Sequence, residues 1–162
     1  MYTSTKRMLA FCLIAFGLCV IVPRIVTAQS SDLEQVKAAN AAYYAALSAR
    51  DLHAMEQVWT RTSRDVNIAP PIRPAAHIGW DLIKKNYLGY WGTLDELAVS
   101  MAEPSVEVQG TVAWVYGIEH AKRRAKNGQT SGGRNFGTSI FVKESGGWKM
   151  IFHQAALIPN PN

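Results

Sequence analysis

The apolar positions of this chain keep a helical period through its first half and an alternating period through its second. Leu33, Val36, Asn40, Tyr43 and Leu47 recur three and four residues apart, which predicts a helix whose buried stripe carries one amide. Ser31 and Glu34 stand at its start with the spacing of a capping box. Arg50-Asp51 interrupts the pattern, and Asp51 is placed to cap a short second helix holding Leu52, Met55, Val58 and Trp59. Asp65 to Ala69 alternates as a strand and runs into Pro70, Pro71 and Pro74. Gly79 then opens a third helix, with Trp80, Ile83, Tyr87 and Trp91 along one side.

After Gly92 the pattern becomes that of strands. Leu97 to Gln109 reads as one strand bent at Pro104, and Val112 to Arg124 as a long second one with Val112, Trp114, Tyr116, Ile118 and His120 on one face. The glycine-rich stretch Asn127 to Gly133 connects it to a strand over Arg134 to Lys143. Ser145-Gly146-Gly147 then turns the chain into a last strand, Trp148 to Leu157. Helices first and antiparallel strands after predict an α+β fold, with the helices packed on one face of a sheet.

The longest apolar run, Met8 to Val22, belongs to neither pattern. Lys6 and Arg7 precede it, and the small-residue end Val26-x-Ala28 follows, as in a secretory signal peptide cleaved after Ala28. Residues 1–28 are therefore expected to be the signal and residues 29–162 a single domain in the periplasm or outside the cell, without a stable membrane anchor after cleavage. This changes the charge balance. The whole chain of 162 residues carries +5, but Lys6, Arg7 and Arg24 lie in the signal with no acid, so the remainder carries three fewer charges, or +2. Nucleic-acid binding loses its support in composition. Cys12 and Cys19 also lie in the signal, which excludes disulfides and thiolate chemistry from the exported domain.

Three passages resemble the NTF2-like superfamily in its SnoaL-like and ketosteroid-isomerase-like branch. They are Ala42 to Leu52, Gly79 to Tyr87, and Ser139 to Ile151 with its Gly-Gly-Trp-Lys turn, in the family's order. The resemblance implies a conical fold, in which N-terminal helices pack on a strongly curved antiparallel sheet around a pocket, and pairing of two copies through their sheets. It also implies roles for single residues. Tyr43 stands where those isomerases keep the tyrosine that hydrogen-bonds the substrate oxyanion, Tyr87 where a second tyrosine supports it, and Ser139 where a protonated acid completes the oxyanion hole. The family's carboxylate base sits before a proline, and here Pro70, or Asn67 without a gap, takes its place. Neither accepts a proton from carbon. SnoaL-like relatives also end in a His-x-His pair, where this chain has Phe152-His153-Gln154. Alternation puts Trp148, Met150, Phe152 and Gln154 on one face and His153 on the other, so no role is carried over to His153.

These residues make up the expected site: Asn40, Tyr43, Trp59, Tyr87, Trp114, Ser139 and Gln154 as ligand-binding groups, and Glu119 as the reserve general base. The four histidines lack metal-ligand spacing and no cofactor motif occurs, so no metal and no cofactor is expected. The cluster Lys122-Arg123-Arg124-Lys126 suits an exposed strand end. The functional expectation is an exported homodimer with a hydrophobic pocket for a small, largely apolar molecule bearing a carbonyl or hydroxyl group. The alternatives are an isomerase or dehydratase with a base in a non-standard place, and a non-catalytic dimeric interaction module.

Overall fold

A computed structural model describes residues 23–69 and 76–159. The element order is α1 (Pro23–Ala49), α2 (Leu52–Val58), β1 (Val66–Ile68), β2 (His77–Ile78), α3 (Trp80–Trp91), β3 (Leu94–Met101), β4 (Ser105–Gln109), β5 (Val112–Ala125), β6 (Thr130–Glu144) and β7 (Gly147–Leu157). The seven strands form one curved sheet in the order β2-β1-β7-β6-β5-β3, with β4 beside β3 on the same edge of β5. Every pairing is antiparallel except that of β1 with β7. This is the α+β arrangement the patterns predict. The apolar run Met8 to Val22 and the prolines Pro70, Pro71 and Pro74 lie outside the described residues.

α1 buries the predicted stripe at Val36, Asn40 and Tyr43 and adds Tyr44 and Ala46. Its start differs from the sequence reading. The helix begins at Pro23, so the N–H groups near Ser31 already have helical partners and no cap is needed there. Ser31 instead accepts a hydrogen bond from Gln35 at 3.0 Å, and Glu34 pairs with Lys37 at 2.8 Å. Asp51 does cap α2, accepting from the Ala54 N–H at 3.0 Å.

Trp59 leaves α2 in extended conformation and bridges to Met150, which brings the loop onto β7. The chain then turns around Asp65, a buried carboxylate that accepts from the Thr62 N–H at 3.1 Å, from the Thr62 hydroxyl at 2.7 Å and from the Thr60 hydroxyl. The Asp65 carbonyl also accepts from Gly79, joining β1 to the head of α3. α3 buries Trp80, Ile83, Tyr87 and Trp91, all four as its spacing predicts. Burial of each such large side chain is worth about 1.5–3 kcal/mol.

Two strand readings need correction. The stretch read as one strand from Leu97 to Gln109 is two strands, interrupted at Ala102–Pro104, where Glu103 turns with φ +49°. Proline cannot donate to the ladder, and the break lets β3 and β4 pair with different halves of β5. In β7 the alternation itself is broken. Phe141 pairs with Met150 and Ile140 with Phe152, so Ile151 is an extra residue that reverses the phase of everything after it.

Candidate functional site

The bulge at Ile151 decides which side chains of β7 enter the interior. Simple alternation from Met150 would turn His153 outward, but the extra residue turns it inward, where it is buried at 2% exposure beside Ser139, its cross-strand partner. The same shift leaves Gln154 exposed, which corrects the expectation that Gln154 faces a pocket. Trp114 is also on the outer face. Ala113, Val115 and Glu119 are the inward residues of β5, and Trp114 alternates with them.

The inward groups converge below α1. Glu119 is 3% exposed, and the Tyr44 hydroxyl donates to its Oε1 at 2.6 Å. Asn135 Nδ2 donates to Oε2 at 3.5 Å. His153 Nε2 faces Oε1 at 3.4 Å, and His153 Nδ1 lies 3.1 Å from the Ser139 hydroxyl. The Tyr43 ring covers the imidazole with centroids 4.6 Å apart and meets the Tyr44 ring edge-on at 5.0 Å. Gly137 makes room for the carboxylate, since a Cβ there would lie 2.6 Å from Glu119 Oε1.

Burial sets the protonation of this cluster. It lowers the His153 pKa below the usual 6.5, against the raising effect of the Glu119 charge, so the ring is neutral near pH 7. A neutral ring with hydrogen on Nε2 points its N–H at the carboxylate and leaves Nδ1 to accept from Ser139. This tautomer is assigned from the network. Burial also pushes the Tyr43, Tyr44 and Tyr87 hydroxyls upward, with the Glu119 charge adding to the effect, so all three stay protonated donors.

Several buried polar atoms in the same interior have no hydrogen-bond partner among the described residues. They include Asn40 Oδ1, both amide atoms of Asn67, Tyr87 Oη and Trp59 Nε1. Tyr87 Oη lies near Tyr43 and Trp59 without a well-formed bond to either. Native interiors leave few such groups unsatisfied, and each points to a water or a ligand. A groove of about 550 Å³ opens between α1 and the β3–β4 edge, lined by Asn40, Tyr44 and Met101 with Lys37, Glu103 and Pro104. Tyr44 and Met101 both reach Glu119, Tyr44 by its hydrogen bond and Met101 as the cross-strand partner. Among the described residues no three His, Cys, Asp or Glu side chains gather as a metal site.

Asn40, Tyr43, Trp59, Tyr87 and Ser139 of the expected set are therefore buried in the interior with Glu119, and Trp114 and Gln154 are not. Two residues of the cluster fall outside the expected set: Tyr44, and His153, which plain alternation puts on the other face without a role. Tyr44 follows a stripe residue directly, and only the breadth of the buried face of α1 reveals it. The signal for His153 was a bulge, which leaves no mark in a pattern of alternating residues. Pro70 lies outside the described residues, and Asn67 is buried on β1 opposite His153.

A family model described as a SnoaL-like domain matches residues 36–161. No curated protein sequence matches the chain. Among solved structures, an NTF2-like superfamily protein from Salmonella enterica serovar Typhimurium LT2 is similar at TM-score 0.76 and 18% identity, over 83% of this chain and 96% of that one. A candidate dehydratase of the NTF2-like family from Streptomyces avermitilis is similar at TM-score 0.72 and 20% identity, over 81% and 99%. A ketosteroid isomerase-like protein from Erwinia carotovora atroseptica is similar at TM-score 0.66 and 23% identity, over 80% and 98%. At these identities the likeness is one of fold.

Proposed function

Because the chain belongs to the SnoaL-like domain family, with an NTF2-like fold, we propose that it binds a small, largely apolar molecule bearing a carbonyl or hydroxyl group in the groove beside Tyr44, and that Glu119 exchanges a proton with it. The observation that carries this reading is the carboxylate itself. Glu119 is 3% exposed and sits one side chain behind the groove with a tyrosine hydroxyl and a neutral imidazole on the same oxygen. A buried carboxylate held between donors beside a groove is placed for general acid–base work. Tyr44, Asn135 and the His153 N–H orient its lone pairs, and Ser139 fixes the imidazole.

From a β,γ-unsaturated carbonyl compound, a proton on the carbon between the carbonyl and the double bond would pass to Glu119, and the same group would return it at the far end of the double bond, which moves into conjugation with no other reactant. The dehydratase and isomerase-like relatives in fold are consistent with such chemistry. Mass spectrometry of the native protein identifies what it retains through purification, and turnover of that molecule or a related enone tests the chemistry. Glu119→Gln keeps the shape and removes the basicity, so binding persists and turnover falls by about 10²–10⁴-fold. Turnover unchanged in Glu119→Gln would remove the carboxylate from the mechanism. The proposal extends to export, supported by the basic start and apolar run before Pro23, and to pairing through the outer sheet face.

A further inference from the structure

The capping-box spacing of Ser31 and Glu34 has no use in the unbroken α1. Ser31 stands about two turns inside a helix that starts at Pro23, where each backbone N–H already has a helical partner. The Ser31 hydroxyl accepts from Gln35 at 3.0 Å, and Glu34 pairs with Lys37 at 2.8 Å, with both of those charged groups in solvent. Surface contacts of this kind add little to stability. Glutamate three residues after serine is, however, the arrangement that closes the first turn of a helix.

The residue after Ser31 ties the same point of the helix to the sheet. Asp32 Oδ1 and Oδ2 accept from Lys143 Nζ at 2.7 and 2.9 Å, and Oδ1 accepts from Trp148 Nε1 at 3.3 Å. The bond to Lys143 holds the Asp32 carboxyl below the usual carboxylate range. Lys143 and Trp148 flank the β6–β7 turn, so α1 is pinned to that hairpin one residue beyond Ser31. The bond between Ala28 and Gln29, which reads as a signal-peptidase site, lies on the other side of the pin and inside the same helix. Proteolysis acts on mobile or extended chain, which a closed helical turn withholds.

Resting on the export proposed above, we infer that α1 has two starts: Pro23 in the uncut chain, and Ser31 once the segment ending at Ala28 is removed. The cut takes away the carbonyls to which the N–H groups of residues 29–32 bond in the longer helix. The box then closes at the new end. The Ser31 hydroxyl accepts from the Glu34 N–H, and the Glu34 carboxylate turns back to accept from the Ser31 N–H. Asp32 and Glu34 come to stand in the first turn, where their charges meet the positive end of the helix dipole. Ser31 leaves Gln35 and Glu34 leaves Lys37, so two weak surface contacts give way to two bonds with the backbone. Asp32 keeps Lys143 and Trp148 in either form, which fixes the new start against the sheet.

One substitution has opposite signs in the two forms. Within a helix Ser31→Ala is neutral or favourable, because alanine is the better helix former, whereas at a helix start it removes the cap. The protein is expressed with its own leader and recovered from outside the cytoplasm, and mass spectrometry reads its first residue as Gln29 or a neighbour. In that exported protein Ser31→Ala lowers the thermal midpoint, followed by circular dichroism, by about 2–8 °C, and Ser31→Asn, an equally good cap, keeps it. Glu34→Ala lowers it as well, and the two losses together are smaller than their sum because the box is reciprocal. In the uncut chain, kept so by the large residue of Ala28→Arg and held in detergent, Ser31→Ala leaves the midpoint unchanged or raises it. An exported protein that still carries its first segment overturns this inference together with the export reading, and leaves the ligand and Glu119 untouched. A start at Gln29 with a midpoint that Ser31→Ala does not lower overturns the inference alone, and so does an equal drop in the uncut chain.

Discussion

His153 shows how burial and a neighbouring charge act on one group in opposite directions. The desolvation of the ring wins, and its pKa lies below the ordinary 6.5. The unfolded chain therefore takes up this proton first as pH falls. The stability due to a neutral His153 is fully present above about pH 6.5 and is lost as pH drops through that value towards the folded pKa, at most about 1.4 kcal/mol per pH unit. Urea denaturation of the unaltered protein should show its midpoint falling between about pH 7 and pH 5.5. His153→Gln, which keeps a hydrogen-bonding side chain without the titration, should lose that part of the slope. A slope identical in the two proteins would mean that some other group carries it.

Among the elements, α2 and β7 offer the cleanest tests. α2 is seven residues long, and its head is held by the Asp51 side chain on the Ala54 N–H. Asp51→Ala should cost about 0.5–2 kcal/mol, read as a lowered thermal midpoint, because a short helix has few other bonds to hold its first turn. The β7 bulge makes a different demand. Deleting Ile151 removes the extra residue, so Met150 and Phe152 become neighbours opposite Phe141 and Ile140, and His153 and Ala155 keep their inward facing. The loss is that of the bend and of the half-buried Ile151 side chain, about 0.5–3 kcal/mol, read as a lowered thermal midpoint with the interior cluster kept. A deletion variant that does not fold would show that the bend itself is needed to carry β7 around the core.

For the whole molecule the question is what covers the outer face of the sheet. Trp114, Tyr116 and Phe136 are exposed there, and Trp114 continues through its partners Ile140 and Phe152. A contiguous apolar face of this kind is an aggregation liability unless it is paired. A second copy, related by a two-fold axis, is the commonest way to pair it. Multi-angle light scattering at micromolar concentration should give twice the monomer mass, and Tyr116→Lys with Phe136→Glu should return it to monomer with the interior site intact. A monomeric unaltered protein would set the pairing proposal aside.

How much of this was legible in the chain follows from the range of the forces involved. Helix stripes, the Asp51 cap and strand alternation are local, so the three helices, the long hairpins and the α+β layering could be read from spacing. The resemblance carried by Ala42 to Leu52 and by the Gly-Gly-Trp-Lys turn set the family. Asn40, Tyr43 and Tyr87 were legible as buried polar residues because each falls on an apolar helical stripe. The inward turn of His153 was not, because a bulge depends on how two strands settle against each other over the curved core. Glu119 could be named as a reserve base, but its burial and its partners could not be read. Its carboxylate needs the empty space over Gly137 and the Tyr44 hydroxyl, which lies 75 residues away in the chain. Residue order holds no record of that distance. The packing of α1 against β3, β4 and β5 closes it, and with it makes a buried acid–base cluster from residues far apart in the chain.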